Sequence, residues 1–370
     1  MNDIQKKLLY QVSQVLFNEQ ENIPLSDDVL AEARAQTVSS LLTNDYQAIA
    51  KNIRCIAAHA ELTELMKGIP YTTFKGYVSA RYYPIPERRE MGDVDFIVSP
   101  EYYQEAVNRL LQAGWSTVKK ENERHEAFRR WNIYYELHTE IKGIPNNEVD
   151  GIKTQFMSVE AKVRMLLADL VETAATVETQ QGLIVIPDEF HHGLIMLLHV
   201  AGHMVNDGGI GLRHLCDWAV YVHRVDLEKY RDQLENIGLW TFACQLTAVS
   251  SVYLGLPDKK WAGEWPKCFL ENLMDDILEA GNFGRKQTGR SGIQKIKHSS
   301  LSGYIKQRVP LSREYPLLLP FAGVFYAFRY IMRVITGRTK IMELSALAGV
   351  KKRQRLYDQF QLFNTKQRVN

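Results

Sequence analysis

Apolar residues near the start of the chain recur every three or four positions, which is the period of an amphipathic helix. This pattern predicts three helices, over residues 8–17, 27–42 and 45–68. Ser26, Asp27 and Asp28 precede the second helix and supply side-chain oxygens that accept hydrogen bonds from the free N–H groups of its first turn. The sequence therefore predicts an N-terminal helical segment over 1–69.

The pattern changes at residue 70, where short β-prone runs begin to alternate with helical ones. A strand over 70–74 ends at Lys75-Gly76, a brief helix runs to Pro84, and an apolar strand follows over 94–98. A helix from residue 100 to 114 and strands over 116–120 and 127–141 complete the run. Residues 70–150 are therefore predicted to form a compact core with a small sheet.

From residue 154 onward the pattern predicts an almost entirely helical chain. Five helices are expected, over 158–174, 188–205, 211–225, 227–238 and 239–255. A polar stretch rich in Gly, Ser and Lys over 281–303 is typical of a linker, and a last helical region spans about 312–363. The expected fold class is α+β, with a helical domain over 151–280 and a linker and C-terminal helical region over 281–370.

Composition excludes disorder, because 45% of the 370 residues are hydrophobic and only 24% are charged. The 45 basic and 43 acidic residues give a net charge of +2, too small for a global field that would hold a polyanion. Any phosphate site must therefore be local, and no long nucleic acid is expected as a partner. The oligomeric state is left open.

Cysteine usage and targeting signals bear on the compartment. The four cysteines are widely separated, and the N-terminus lacks the apolar region of a signal peptide, so a cytoplasmic protein is expected. The most apolar stretch, over 315–331, contains two prolines and an arginine and is shorter than the ~20 residues that cross a bilayer. It is predicted to be a buried or partner-covered helix, with a membrane-surface helix as the alternative and no transmembrane segment.

Two aspartates two residues apart carry the clearest chemical signal. Asp93 and Asp95 lie at the head of a strand, so their side chains project from the same face. Two neighbouring carboxylates repel unless a cation lies between them, which makes this pair a natural site for Mg²⁺ or Mn²⁺. Upstream, Lys75-Gly76 forms a strand-to-helix turn of the kind that admits a phosphate. Metal and phosphate sites together are the minimum for phosphoryl or nucleotidyl transfer.

The run FKGYVSARYYP followed by ERREMGDVDFIV resembles the family of uncharacterised nucleotidyltransferases, within the DNA polymerase β-like superfamily. The likeness continues at YELH (135–138) and, more weakly, at LLHVAGH and GLRHLCDWAVYV, and covers about residues 70–225. It implies a nucleotidyltransferase-fold core with an NTP as substrate and Mg²⁺ or Mn²⁺ as cofactor. It assigns catalysis and metal binding to Asp93, Asp95 and Glu136. The residues predicted to lie near the nucleotide are Lys75, Gly76, Arg88, Arg89 and His138. His138 could orient the Glu136 carboxylate or pack under the site.

Several alternatives stay open beside this interpretation. Many superfamily members have Gly-Ser or Gly-Gly at the phosphate turn, whereas Lys75-Gly76 is followed here by Tyr77. Glu140, which is expected on the same face of the strand, competes with Glu136 as the third carboxylate. A bare D-x-D occurs by chance in many proteins, and arginines in a loop are commonly just solvated.

The histidines of the helical half allow a rival enzyme. His199 and His203 lie four residues apart and could ligate a metal together with Asp207, His214 or Asp217, as in a His/Asp phosphohydrolase. The chain has neither the adjacent His-Asp pair of that class nor HExxH. The histidines are therefore expected to line a cleft or to lie in the core. Asp217 is expected to form a buried hydrogen bond or to cap a neighbouring helix.

The function predicted from the sequence is metal-dependent transfer of a nucleoside monophosphate from an NTP to a small-molecule or protein acceptor, with release of pyrophosphate. The alternative, from a different class, is a non-catalytic nucleotide sensor or partner-binding module on the same fold. The sequence indicates neither the acceptor nor the preferred NTP.

Overall fold

The computed structural model of the chain describes residues 1–18, 24–118, 125–145, 158–206, 208–282 and 353–365, together with positions 320, 321, 324, 325 and 332. The predicted linker over 281–303 and the apolar stretch over 315–331 lie almost entirely outside these residues. Of that stretch, Phe321, Val324 and Phe325 are described and are exposed. In the described part of the chain, no helix combines the length and the apolar character that crossing a membrane requires.

Four helices precede the sheet: α1 (Asp3–Phe17), α2 (Asp27–Ala35), α3 (Ser39–Leu42) and α4 (Tyr46–Leu65). The Asp45 side chain caps α4 by accepting hydrogen bonds from the N–H groups of Gln47 and Ala48. The prediction of one helix over 27–42 is wrong, because the chain breaks at Thr37, whose φ is +55°. A tertiary contact holds the chain at this break, because the buried Gln36 amide donates a hydrogen bond to the carbonyl oxygen of Leu278 at 2.7 Å.

The central feature is a mixed five-stranded sheet. Its strands are β1 (Tyr71–Phe74), β2 (Asp93–Val98), β3 (Ser116–Val118), β4 (His125–Arg130) and β5 (Ile133–His138), in the order β1-β2-β5-β4-β3. Only β2 and β5 pair in parallel among these neighbours, and their register places Asp95 beside Glu136. The helices α5 (Gly76–Ala80) and α6 (Tyr103–Gln112) connect the strands.

The second half of the chain is mostly helical but contains one hairpin. Its elements are α7 (Val159–Leu166), β6 (Ala175–Thr179), β7 (Gly182–Ile186), α8 (Glu189–Asn206), α9 (Leu212–Arg224), α10 (Arg231–Asn236), α11 (Trp240–Leu254), α12 (Lys267–Ala280) and a short helix over 353–358. The almost entirely helical pattern predicted after residue 154 does not include the strands β6 and β7, and the helix expected over 158–174 ends at Leu166. The hairpin packs against β1 and α4, and Ile184 and Ile186 are buried in the core beneath the sheet.

Two hydrophobic cores organise the molecule and confirm the expected α+β class. One joins α4, α6, the central strands and the β6–β7 hairpin, and the other joins α1, α2 and α3 to α8, α9, α11 and α12. Helices thus lie both before and after the sheet in the chain. The domain limits expected at residues 70, 150 and 280 stay predictions.

Candidate active site

The parallel pairing of β2 and β5 brings acidic side chains together on one face of the sheet. Asp95 and Glu136 are register partners, and His138 lies two residues beyond Glu136 on the same face. Asp95, Glu136 and His138 are all buried, and each offers one ligand atom within 4.8 Å of the others. Within the described residues, no other group of at least three acidic, histidine or cysteine side chains is as close.

Asp95 is the centre of this cluster. Its Oδ1 accepts hydrogen bonds from Lys75 Nζ at 3.0 Å and from His138 Nε2 at 2.7 Å. Burial alone acts to raise the pKa of Asp95, but Lys75 and His138 hold it well below its usual range. The His138 nitrogen lies farther from Glu136 Oε2, at 3.6 Å. His138 therefore orients Asp95 more directly than it orients Glu136, and Asp95 stays charged.

Lys75 reaches Asp95 from a strained backbone. Its φ of +63° and ψ of −150° lie in a region that is essentially restricted to glycine. The next position requires glycine, because Gly76 has a φ of +45° and a Cβ added there would lie 2.8 Å from His59 Nε2. Because α5 has only five residues, its dipole contributes little, and the positive charge at this turn comes mainly from the Lys75 ammonium.

Asp93 lies outside the Asp95, Glu136 and His138 group and faces a cavity of about 140 Å³. Loss of surrounding water raises the pKa of Asp93, and the carboxylates of Asp95 and Glu136 raise it further. The three carboxylates therefore share one electrostatic environment. The cavity lies between the sheet and the helices α8 and α9; its lining includes Lys75, Gly76, Arg89, Asp93, Asp95, His192, His199, Arg213, His214 and Asp217.

Arg213 is not among the residues that the sequence predicts for this site. It lies at the start of α9, more than a hundred residues after Asp93, and only folding brings it to the same cavity. Its guanidinium makes two long hydrogen bonds of 3.4 Å, to the Glu90 carbonyl oxygen and to Asn282 Oδ1. Its positive charge acts to lower the pKa of Asp93. The only signal in the sequence is its place in GLRHLCDWAVYV, the weaker part of the family likeness.

The two arginines before β2 are bonded within the protein. Arg89 forms a buried two-point ion pair with Asp217, from Nε to Oδ1 at 2.8 Å and from an Nη atom to Oδ2 at 2.7 Å. Tyr83 donates to the same carboxylate at 2.8 Å, so the expected buried hydrogen bond of Asp217 is confirmed. Arg88 donates to Asn44 Oδ1 at 2.6 Å and does not line the cavity. A phosphate contact of either arginine stays a prediction.

Glu140 is separated from the cluster, contrary to its expected place on the face of Glu136. The strand β5 ends at His138, so the alternation of side chains does not extend to residue 140. Glu140 instead pairs with Arg164 at 3.2 Å. Of the two candidates for the third carboxylate, the structure therefore brings only Glu136 to Asp95.

The histidines of α8 and α9 lie close together beside the cavity. The ring centroids of His199 and His203 are 4.3 Å apart, and His214 lies 5.7 Å from His199. Burial lowers the pKa values of His199 and His214 well below 6.5, so both are neutral. Among described residues these three do not form a group with ligand atoms within 4.8 Å, and Asp207 lies outside the described residues.

A mixed sheet with paired carboxylates on adjacent strands, flanked by helices on both sides in the chain, is consistent with the nucleotidyltransferase fold. The model of the family described as uncharacterised nucleotidyltransferases matches residues 18–255, which is more than half of the chain. The chain belongs to this family. A search of curated proteins gives no match.

Proposed function

We propose that the protein is a metal-dependent nucleotidyltransferase that moves a nucleoside monophosphate from an NTP to an acceptor. The observation that carries this proposal is the buried cluster of Asp95, Glu136 and His138. Asp95 also lines, together with Asp93, the cavity between the sheet and the helices. Membership of the nucleotidyltransferase family supports the same reaction class.

The donor set fits Mg²⁺ or Mn²⁺. Carboxylate oxygens are the ligands that these cations prefer, and Asp93, Asp95 and Glu136 offer them in one electrostatic environment. We assign the metal to these three carboxylates. When bound, it would neutralise triphosphate oxygens and lower the pKa of the acceptor hydroxyl.

The protein's own groups bind and orient the reactants. Lys75 and Arg213 supply positive charge for the triphosphate from opposite walls of the cavity, and His138 holds Asp95 in a fixed orientation. The acceptor hydroxyl oxygen attacks the α-phosphorus, and the bond from this phosphorus to the oxygen that bridges to the β-phosphate breaks. Pyrophosphate leaves, and the hydroxyl proton passes through a carboxylate of the site to water.

The cysteines agree with a reducing compartment. All four are free, and Cys55, Cys216 and Cys244 are buried while Cys268 is exposed. We therefore propose the cytoplasm as the location, together with an acceptor other than long nucleic acid, in keeping with the net charge of +2.

A second candidate is a nucleotide sensor without catalysis. One observation favours it: the Lys75 ammonium already occupies the Oδ1 atom of Asp95 as a cation would. A protein that kept this contact would bind the nucleotide without activating it.

Two measurements on the wild type, one double variant and one control variant separate these candidates. Pyrophosphate release is followed with each NTP, Mg²⁺ and a pool of small molecules and proteins from a cell extract, and NTP binding is followed by calorimetry. The proposal expects release by the wild type, no release by Asp93→Asn/Asp95→Asn, and wild-type release by the control Glu140→Gln, whose carboxylate lies off the site. Binding without release by the wild type supports the sensor. Unchanged release by the double variant contradicts the proposed transferase.

A further inference from the structure

A second, larger cavity lies on the other side of the segment that leads into Asp93. We call it the hairpin cavity; it measures about 980 Å³ and is open to solvent. Its lining is Lys51, Arg54, Cys55, Met91, Gly92, Gly114, Ser116, Arg129, Arg130, Trp131, Asn132 and Ile133. Nothing in the predicted chemistry of the chain uses it.

The lining carries four cationic side chains and no carboxylate. Lys51 and Arg54 lie on α4 and are exposed, and among the described residues neither forms an ion pair. Arg130 adds less positive charge to the cavity, because its guanidinium is paired with the Glu61 carboxylate at 2.7 Å. This local excess of positive charge, in a protein of net charge +2, matches an anionic ligand.

Trp131 stands at the rim of the hairpin cavity in a strained turn. The two-residue connection between β4 and β5 has positive φ at both positions, +51° at Trp131 and +63° at Asn132. Asparagine tolerates this region, but a bulky residue such as tryptophan rarely adopts it. No burial compensates for the strain, since 76% of Trp131 is exposed. A strained and exposed indole beside arginines is a surface on which a planar ring can stack.

The hairpin cavity and the carboxylate cavity share Met91 and Gly92 as lining residues. They therefore meet at the residue immediately before Asp93. Cys55, in the hairpin cavity, has its sulfur 3.9 Å from the Asp93 carbonyl oxygen. The space beside Gly92 is free, because a Cβ added there would meet no atom within 4 Å. A ligand in one cavity can thus approach a ligand in the other.

We propose that the hairpin cavity binds the acceptor of the transfer reaction, and that this acceptor is a small phosphorylated molecule that carries a planar ring. The proposal rests on the proposed nucleotidyl transfer. Lys51 and Arg54 bind the phosphate, Trp131 stacks on the ring, and the nucleophilic oxygen extends past Gly92 toward the NTP. The volume of about 980 Å³ and the low net charge favour a small molecule over a nucleic acid strand.

The test measures binding of a defined probe to the whole chain by calorimetry in EDTA. The probe is 4-methylumbelliferyl phosphate, and the partial probes are 4-methylumbelliferone, which lacks the phosphate, and methyl phosphate, which lacks the ring. We expect one molecule of the full probe to bind at least tenfold more tightly than either partial probe. No binding of the full probe, or equal binding of methyl phosphate, overturns the proposal.

Variants locate the probe. Lys51→Gln/Arg54→Gln should weaken binding at least tenfold, whereas the control Lys7→Gln/Lys67→Gln, with the same charge change at exposed positions elsewhere, should not. Equal loss of binding in the control Lys7→Gln/Lys67→Gln overturns the site.

Trp131→Gly should weaken binding of the probe at least fivefold. The melting temperature of this variant should stay the same or rise, because glycine relieves the strain of the turn. Binding of a ten-residue oligouridylate that is a hundredfold tighter than the probe overturns the small-molecule class.

Two further readouts separate this proposal from the proposed function. Asp93→Asn/Asp95→Asn should bind the probe with wild-type affinity, because neither carboxylate lines the hairpin cavity. Probe binding without any metal-dependent pyrophosphate release would therefore reject the transferase and leave the cavity as a binding site. In an active enzyme the probe should inhibit pyrophosphate release competitively with the acceptor pool and not with NTP. Binding that causes no inhibition overturns the acceptor role.

Discussion

At Lys75 the backbone adopts a conformation that glycine would adopt without strain. The strain is of the order of 1–3 kcal/mol for a residue with a side chain. The lysine side chain places its ammonium 3.0 Å from the buried carboxylate of Asp95. The strained backbone and the contact with Asp95 support the proposed role of Lys75 in binding the triphosphate.

Two substitutions separate the charge of Lys75 from its backbone. Lys75→Met removes the ammonium but keeps the strained backbone, whereas Lys75→Gly removes both. Both should lose most NTP turnover, because Asp95 loses its cationic partner and the triphosphate loses a binding group. The free energy of unfolding in urea should be about 1–2 kcal/mol higher for the glycine variant than for the methionine variant. Equal stabilities would mean that the backbone at residue 75 is not strained.

The residues of the site differ in how far the sequence predicts them. Asp93 and Asp95 follow from the period of a strand, and the pairing of Asp95 with Glu136 agrees with the family likeness. Arg213 does not follow, since its place depends on how α9 packs over the sheet. Glu140 is predicted wrongly for a different reason. The alternation of side chains places it on the face of Glu136, but the strand β5 already ends at His138.

At the scale of elements, the strands and helices that carry strong local patterns are the ones that the sequence predicts, namely β1, β2 and α6. The single strand predicted over 127–141 is wrong, because the chain turns at Trp131 and Asn132 and forms the two antiparallel strands β4 and β5. The β6–β7 hairpin is missed because β6 is largely exposed and polar, so it has little hydrophobic alternation. Its position is fixed by tertiary contacts, such as the bond from the Thr73 hydroxyl to the Val185 carbonyl oxygen at 2.6 Å. Such contacts leave no period in the sequence.

The contact between the segment before β2 and α9 depends on the Arg89–Asp217 ion pair. Asp217→Asn should lower the free energy of unfolding by about 3–5 kcal/mol, because it leaves a buried guanidinium without its charged partner. Arg89→Met/Asp217→Leu should be less destabilised than the single variant, since it removes both buried charges. Urea unfolding of the three proteins measures the difference. A double variant that is less stable than Asp217→Asn would contradict this account of the pair.

At the scale of the whole molecule, the candidate active site is built from both cores. The sheet supplies the carboxylates and Lys75, and α8 and α9 supply the opposite wall with several buried histidines. His192, His199 and His214 lie between these helices and the sheet, and burial keeps their side chains neutral. Protonation of these histidines should therefore weaken the packing of the helices on the sheet.

Stability should consequently fall in mild acid. Burial lowers the pKa of His59 to about 4 and of His192 to about 3, and it holds those of His199 and His214 well below 6.5. Below pH 6.5 the unfolded chain binds protons that the folded protein excludes, so the free energy of unfolding decreases as the pH falls. The slope is up to about 1.4 kcal/mol per pH unit for each histidine.

Urea unfolding at pH 7.5, 6.5, 5.5 and 4.5 measures this dependence. His59→Gln, whose amide can still donate to the Cys55 carbonyl oxygen, should reduce the slope between pH 6.5 and 4.5. A free energy that stays constant from pH 7.5 to 4.5 would show that the histidines are not buried as neutral groups.

The phosphorus product of NTP turnover tests the proposed nucleotidyl transfer most directly. Wild-type protein, ATP or another NTP, Mg²⁺ and the extract pool are incubated, and the products are identified by ³¹P NMR. Nucleotidyl transfer to an acceptor hydroxyl should give pyrophosphate in amounts equal to a new phosphodiester signal, and neither signal should form with Asp93→Asn/Asp95→Asn. Orthophosphate together with the nucleoside diphosphate, lost in the same variant, would mean that this site cleaves the γ-phosphate, and would contradict nucleotidyl transfer.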